Sequence, residues 1–157
     1  GNGRPEGSGT WTLRQATTAD LPKIQTLLYR FAANYLTDDE TVATWNELRA
    51  SAWVAVCHGG RAVGFVEFRP DAPGYAEAHL LMEPAWLEAA FPLLCEVPAR
   101  ACLAFGLRGL VAKPHSLQAN AEKLLGRLRF MRLNGWDAGE TVKGQPVTRA
   151  LYVWEAF

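Results

Sequence analysis

The run Tyr75-Ala76-Glu77-Ala78-His79-Leu80-Leu81-Met82 sets a carboxylate and an imidazole two positions apart within an apolar stretch. Side chains alternate across a strand. Glu77 and His79 therefore share one face with Tyr75 and Leu81, while Ala76, Ala78, Leu80 and Met82 take the other. A carboxylate or imidazole so placed can take a proton from an attacking nucleophile, directly or through a water. The plainer reading is a solvated Glu77 beside a half-buried, hydrogen-bonded His79. Glu67 lies in phase with Val63, Phe65 and Arg69 on the preceding apolar run and is open to the same two readings. It is either part of a solvated stripe with Arg69 or a second carboxylate lining a cleft.

Spacing and charge argue against other chemistry. His58, His79 and His115 are scattered, and Cys57, Cys95 and Cys102 form no C-x-x-C pair, so no metal set is expected. The thiols read as small buried apolar groups in a reducing, cytoplasmic compartment. The segment 135–144 holds Asp137, Gly139, Glu140 and Gly144 but lacks the ligand alternation of a calcium loop, and is expected to be a mobile hairpin loop. Sixteen basic residues balance sixteen acidic ones, which argues against a broad phosphate-binding surface and hence against nucleic acid. No apolar run approaches the ~20 residues that span a bilayer, and there is no basic-then-apolar start, so neither membrane nor signal peptide is expected. Of the six tryptophans, Trp53 and Trp154 read as core. Trp86 and Trp136 fall in loop segments, where packing is the first reading and a cleft or partner surface the second.

The elements that must hold these residues are legible from periodicity. The 157 residues suit one domain over 11–157, preceded by a flexible Gly-rich arm at 1–10. A short strand at 12–16 leads into Thr17-Thr18-Ala19-Asp20, which has the form of a capping box with Asp in place of Glu. Behind it Leu21, Ile24, Leu27, Leu28, Phe31 and Tyr35 make one apolar helical stripe. Asp38-Asp39-Glu40 suggests the start of a second helix running to about Arg49. The period then switches: 52–57 and 62–69 are apolar strands joined by His58-Gly59-Gly60-Arg61, a hairpin signal, and 75–82 is the third antiparallel strand. A helix is expected at 91–105, broken by Pro98 and closed by Gly106. A strand at 108–112 follows, then a helix at 116–127 with Leu117, Ala121, Leu124, Leu125 and Leu128 inward. Strands at 130–133 and 149–154 close the chain around a Gly-rich loop at 134–145. The order β α α β β β α β α β β describes an α/β (α+β) domain with a mixed sheet.

That order and its local texture resemble the GCN5-related N-acetyltransferase (GNAT) family from Trp11 onward. Four pieces carry the likeness: Leu13 through Ile24 as the opening strand and capped helix; Gly59-Gly60 leading into Ala62-Val63-Gly64-Phe65-Val66; Met82-Glu83-Pro84 ending the fourth strand; and the spacing from Gln118 through Ala121 to Phe130. The resemblance implies acetyl-CoA as cofactor and a small-molecule or protein amine as acceptor, with Glu77 or His79 as the base. It implies that the fourth and fifth strands splay to admit the pantetheine arm, and that Leu81, Met82, Leu87, Ala90, Phe91 and Gln118 lie along the cofactor. Lys113 reads as a solvated cation, or as a contact to a CoA phosphate. The sequence also departs from the family. The loop expected as Arg/Gln-x-x-Gly-x-Gly/Ala falls on Leu87, Ala90 and Pro92, and the usual tyrosine acid on Leu125. Proline donates no amide and leucine no proton. Some small bacteriophage virion proteins look similar, so the alternative is a non-catalytic GNAT-fold binding or structural module, placed in a virion if phage-encoded.

Overall fold

The computed structural model describes residues 9–42, 47–48 and 51–156. Seven strands form one mixed sheet: β1 (Trp11–Gln15), β2 (Ala52–His58), β3 (Arg61–Pro70), β4 (Tyr75–Met82), β5 (Gly109–Ala112), β6 (Met131–Val142) and β7 (Gln145–Glu155). They lie in the order β1-β2-β3-β4-β5-β7-β6. All neighbours are antiparallel except β4 and β5, which run parallel. A parallel pair needs a crossover, and it is supplied here by α2 (Leu87–Leu94) and α3 (Val97–Phe105).

Two apolar layers sandwich the sheet. On one face Ile24, Leu27 and Leu28 of α1 (Leu21–Tyr35) bury against Trp53, Ala55, Phe65 and Leu81. On the other, Ala90, Leu93, Leu94, Val97 and Ala101 cover Val56, Val66, Ala76, Met82 and Leu110. Helix α1 starts where the sequence places it. The Asp20 carboxylate accepts the Thr17 amide at 2.8 Å and both guanidinium nitrogens of Arg14, at 2.7 and 2.9 Å, so the helix start is tied to β1.

Several expected boundaries move. The predicted second helix falls largely on residues 43–46 and 49–50, outside the described residues. Its expected first turn is a single turn at 38–39, closed by the Glu40 amide on the Thr37 carbonyl, while Glu47 and Leu48 are helical. The helix expected at 91–105 begins earlier and divides at Cys95 and Glu96 into two, with Pro98 in the first turn of the second, where its missing N–H costs nothing. Gly106 closes that helix at φ 67°, ψ 37°. Cys95 therefore does not share a helical face with Cys102, and it is exposed whereas Cys57 and Cys102 are buried. Helix α4 (Ala119–Arg127) starts three residues later than expected and leaves Leu117 exposed. The predicted Gly-rich loop is the body of the β6–β7 hairpin, turned at Lys143 and Gly144, both at positive φ. The Asp38 carboxylate accepts the Lys143 and Gly144 amides and the Thr141 hydroxyl, which ties the turn to the chain beyond α1. Trp86 packs on Trp11 edge-on at 5.9 Å and on His58, so packing accounts for it.

The Arg14 contact and the Thr17 amide hold the Asp20 carboxyl near 2, against an ordinary 3.8, although burial opposes them. A depressed carboxyl stabilises the fold above its unfolded pKa, and that contribution is lost as pH falls through the folded value. In urea unfolding, Asp20→Asn should cost about 1–2 kcal/mol at neutral pH. The difference from the parent protein should vanish toward pH about 2. A pH-independent difference would contradict this assignment.

Candidate functional site

Strand β4 pairs with β3 from Ala76 to Met82, in register from Pro70↔Ala76 to Gly64↔Met82. On its other side it pairs with β5 only at Tyr75↔Gly109, Ala76↔Leu110 and Glu77↔Val111. The cause lies on the far side of β5. There Gly109 through Ala112 pair with Glu155 through Tyr152. The chain beyond β5 stays with β7, since the Ala150 amide donates to the Pro114 carbonyl at 3.1 Å and His115 bridges Arg149. Pro114 has no N–H with which to rejoin β4. At the start of the pair Gly109 permits tight contact, because a Cβ there would stand 2.4 Å from the Trp154 carbonyl oxygen. The strands are thus pinned at one end and part at the other. Among the described residues, no backbone group pairs with the parted edge of β4 from Ala78 to Met82.

Polar side chains gather beside this parting, on the face that α1 covers. The β3–β4 register sets Glu67 opposite His79 and Arg69 opposite Glu77. Along each strand the charges alternate: Arg69 Nη2 is 2.9 Å from Glu67 Oε1, and His79 Nε2 is 2.9 Å from Glu77 Oε2. The second contact is close but not aligned as a hydrogen bond from the ring N–H. Glu67 is only 3% exposed, and Arg69 is the cation that pairs with it there. The solvated-stripe reading of Glu67 is thereby corrected, because β3 is interior to the sheet and its side chain points under α1. Lys113 is not a free cation either; its Nζ sits 2.6 Å from Asp71 and 3.8 Å from Glu77.

Burial pushes the Glu77 carboxyl up, but His79, Lys113 and Arg69 outweigh it and hold it below the ordinary carboxylate range. Burial also pushes the Tyr35 hydroxyl, at the end of α1, up to about 12. Glu77 is therefore charged and Tyr35 neutral at neutral pH. Behind them Arg149 donates to Glu140 through Nε and Nη2 at 2.8 and 3.0 Å, and to the Lys113 carbonyl at 2.9 Å. His115 is buried, accepts the Leu117 amide at Nδ1 and is held toward neutral, chiefly by burial and then by Arg149. Sequence reading passed over Arg149 and His115. The only signal was the position of His115 just beyond a buried strand.

The other expected positions fall elsewhere. Leu81 is buried under α1 and Met82 lies in the opposite core layer beside Gly64. Leu87 opens α2, and Ala90 is fully buried. Phe91 carries the Arg127 guanidinium 4.1 Å above its ring. Gln118 stands before α4, its side-chain oxygen accepting the His115 amide at 2.9 Å. Arg127 of α4 also forks onto Glu88, at 2.8 and 3.3 Å. A negative side chain in the first turn of α2 and its cation in the last turn of α4 thus join the helix that follows β4 to the one that follows β5.

No protein-family model and no curated protein sequence matches the chain. Solved structures do. The yncA protein of Salmonella typhimurium, solved with its cofactor acetyl-CoA, superposes with a TM-score of 0.73 at 19% identity, over 94% of this chain and 95% of that one. A GNAT-superfamily phosphinothricin acetyltransferase from Sinorhizobium meliloti in complex with acetyl-CoA gives 0.75 at 20% identity, over 93% and 88%. A ribosomal-protein-alanine N-acetyltransferase from Brucella melitensis gives 0.72 at 18%, over 92% and 99%. The chain has the GNAT acyltransferase fold.

Proposed function

We propose that the protein is an acyltransferase that moves an acetyl group from acetyl-CoA to an amine. The parting of β4 and β5 carries this reading. A strand edge with unpaired N–H and C=O groups calls for a partner, and an extended arm bearing amides can supply one. The pantetheine arm has such amides, and structures of the same fold include acetyl-CoA complexes. Acetyl-CoA would supply the activated thioester. The backbone of residues 78–82 would hold the arm, and the face bearing Glu67, Arg69, Glu77, His79 and Lys113 would receive the acceptor.

An amine attacks only when neutral, so an ammonium acceptor must first lose a proton. His79 is the better recipient. Its Nε2 faces the Glu77 carboxylate, which stabilises the imidazolium once formed and leaves Nδ1 to take the proton. Glu77, held low, is a weak base and acts through His79. His79→Gln should lower kcat/KM by ~10²–10⁴ near neutral pH, with the deficit shrinking at high pH where the amine is already neutral. Glu77→Gln should do less and should shift the pH profile. Full activity in both variants and in the double variant would remove this pair from the mechanism.

The phosphate end of the cofactor would meet a changed surface. Leu87 and Ala90 stand where the resemblance places a cation and a glycine, Pro92 lacks an amide, and the Glu88 carboxylate stands in the first turn of α2. Negative charge there repels another anion, and Arg127 only neutralises it. In calorimetric titration, Glu88→Gln should bind CoA several-fold more tightly than the parent, because Arg127 is released to the incoming phosphates. Equal affinity would mean that this pair lies off the cofactor path. No heat from either protein up to millimolar CoA would favour the binding-module reading instead.

A further inference from the structure

Strand β6 forms one edge of the sheet, and its residues 131–139 are exposed without interruption. An uncovered edge presents a row of free N–H and C=O groups. This one also displays Met131 at 67% exposure, Leu133 at 56% and Trp136 at 38%. The pairing with β7 fixes the spacing along it. Arg132, Asn134, Gly135, Trp136 and Asp137 stand opposite Tyr152, Leu151, Ala150, Arg149 and Thr148, with Leu133 the extra residue of a bulge. Because the bulge absorbs one residue, Arg132 and Asp137 are each two pairing steps from Gly135. They share its face of the sheet, while Asn134 and Trp136 take the other.

We propose that β6 pairs antiparallel with β6 of a second copy of this chain about a two-fold axis at Gly135, joining the two sheets into one. Residues paired across antiparallel strands point to the same face. The axis therefore sets Arg132 of each copy against Asp137 of the other, two opposite-charge pairs on one face. On the other face it sets Trp136 of each copy beside Asn134, close to Leu133. Gly135 suits the axis because it carries no side chain, and the Arg132 guanidinium already reaches over it; a Cβ there would stand 2.8 Å from Arg132 Nη2. This charge complementarity of β6 with itself is what selects a second copy as the occupant. An isologous contact of this kind closes at two. Among the described residues, the chain beyond α1 meets β6 at Thr141, whose carbonyl accepts the Asp38 amide at 2.8 Å, and leaves 131–139 exposed.

The test is sedimentation equilibrium of the full chain across a wide concentration range. The parent should dimerise. R132D and D137R, each of which sets like charges face to face, should weaken the dimer by ~10-fold or more, while leaving circular dichroism unchanged because both sites are exposed. The combined R132D/D137R chain restores opposite charges and should recover most of the lost affinity. A monomer at every concentration up to ~0.5 mM would overturn the proposal. So would a dimer that neither single substitution weakens, or a double variant no better than the singles. None of these outcomes depends on the acetyl-transfer reading, which would stand or fall by its own titration.

Discussion

Strand β5 is held by β7 and not by β4 beyond three residue pairs, and most of what distinguishes this molecule follows from that. A four-residue strand pinned at Gly109 and carried off by Pro114 and His115 leaves half of β4 paired on one side only. An interior strand does not normally leave such an edge bare, because buried amides and carbonyls are costly without partners. The same parting aims β4 so that Glu77, the last residue paired to β5, and His79, the first of its face beyond the pairing, stand at the opening. It also sets α2 and α4 on either side, joined by Glu88 and Arg127. The proposed cofactor path, the proposed base and the placing of the α2 start all follow from one divergence.

The electrostatics on the α1 face are organised as matched neighbours. Glu67, 3% exposed, has Arg69 as its ion-pair partner. That pair in turn supports Glu77 and His79 across the strand. Burial alone would raise Glu77; His79, Lys113 and Arg69 around it reverse the sign. The carboxylate is thus a fixed charge beside the imidazole. Arg149 and Glu140 buttress the floor through the Lys113 carbonyl, so the β6–β7 hairpin contributes to the site from outside the parted strands.

Much of this was legible in the sequence. The period-two run at 75–82 put Glu77 and His79 on one face, and the α1 stripe and Gly-Gly hairpin fell where expected. The failures share a cause: local pattern was overruled by long-range pairing. Glycines at 135 and 139 read as part of a loop, yet β7 holds them in a strand, absorbing the irregularities in two bulges and leaving only Lys143 and Gly144 to turn. Leu117 read as inward, yet the chain leaves β5 along β7 and helix α4 starts only after it. The burial of Glu67 and His115 could not be read from spacing, because it depends on which strands end up interior to the sheet. The pairs Lys113–Asp71 and Arg127–Glu88 join residues far apart in sequence, and nothing local announces them.

The central claim is that the bare edge of β4 is where acetyl-CoA lies. Hydrogen–deuterium exchange of the backbone amides of residues 78–82, with and without saturating acetyl-CoA, tests it directly. Gap-facing amides in that stretch should exchange more slowly when acetyl-CoA is bound, while β2 and the far half of β3 stay unchanged. Acetyl-CoA that binds without slowing exchange anywhere in 78–82 would contradict the account.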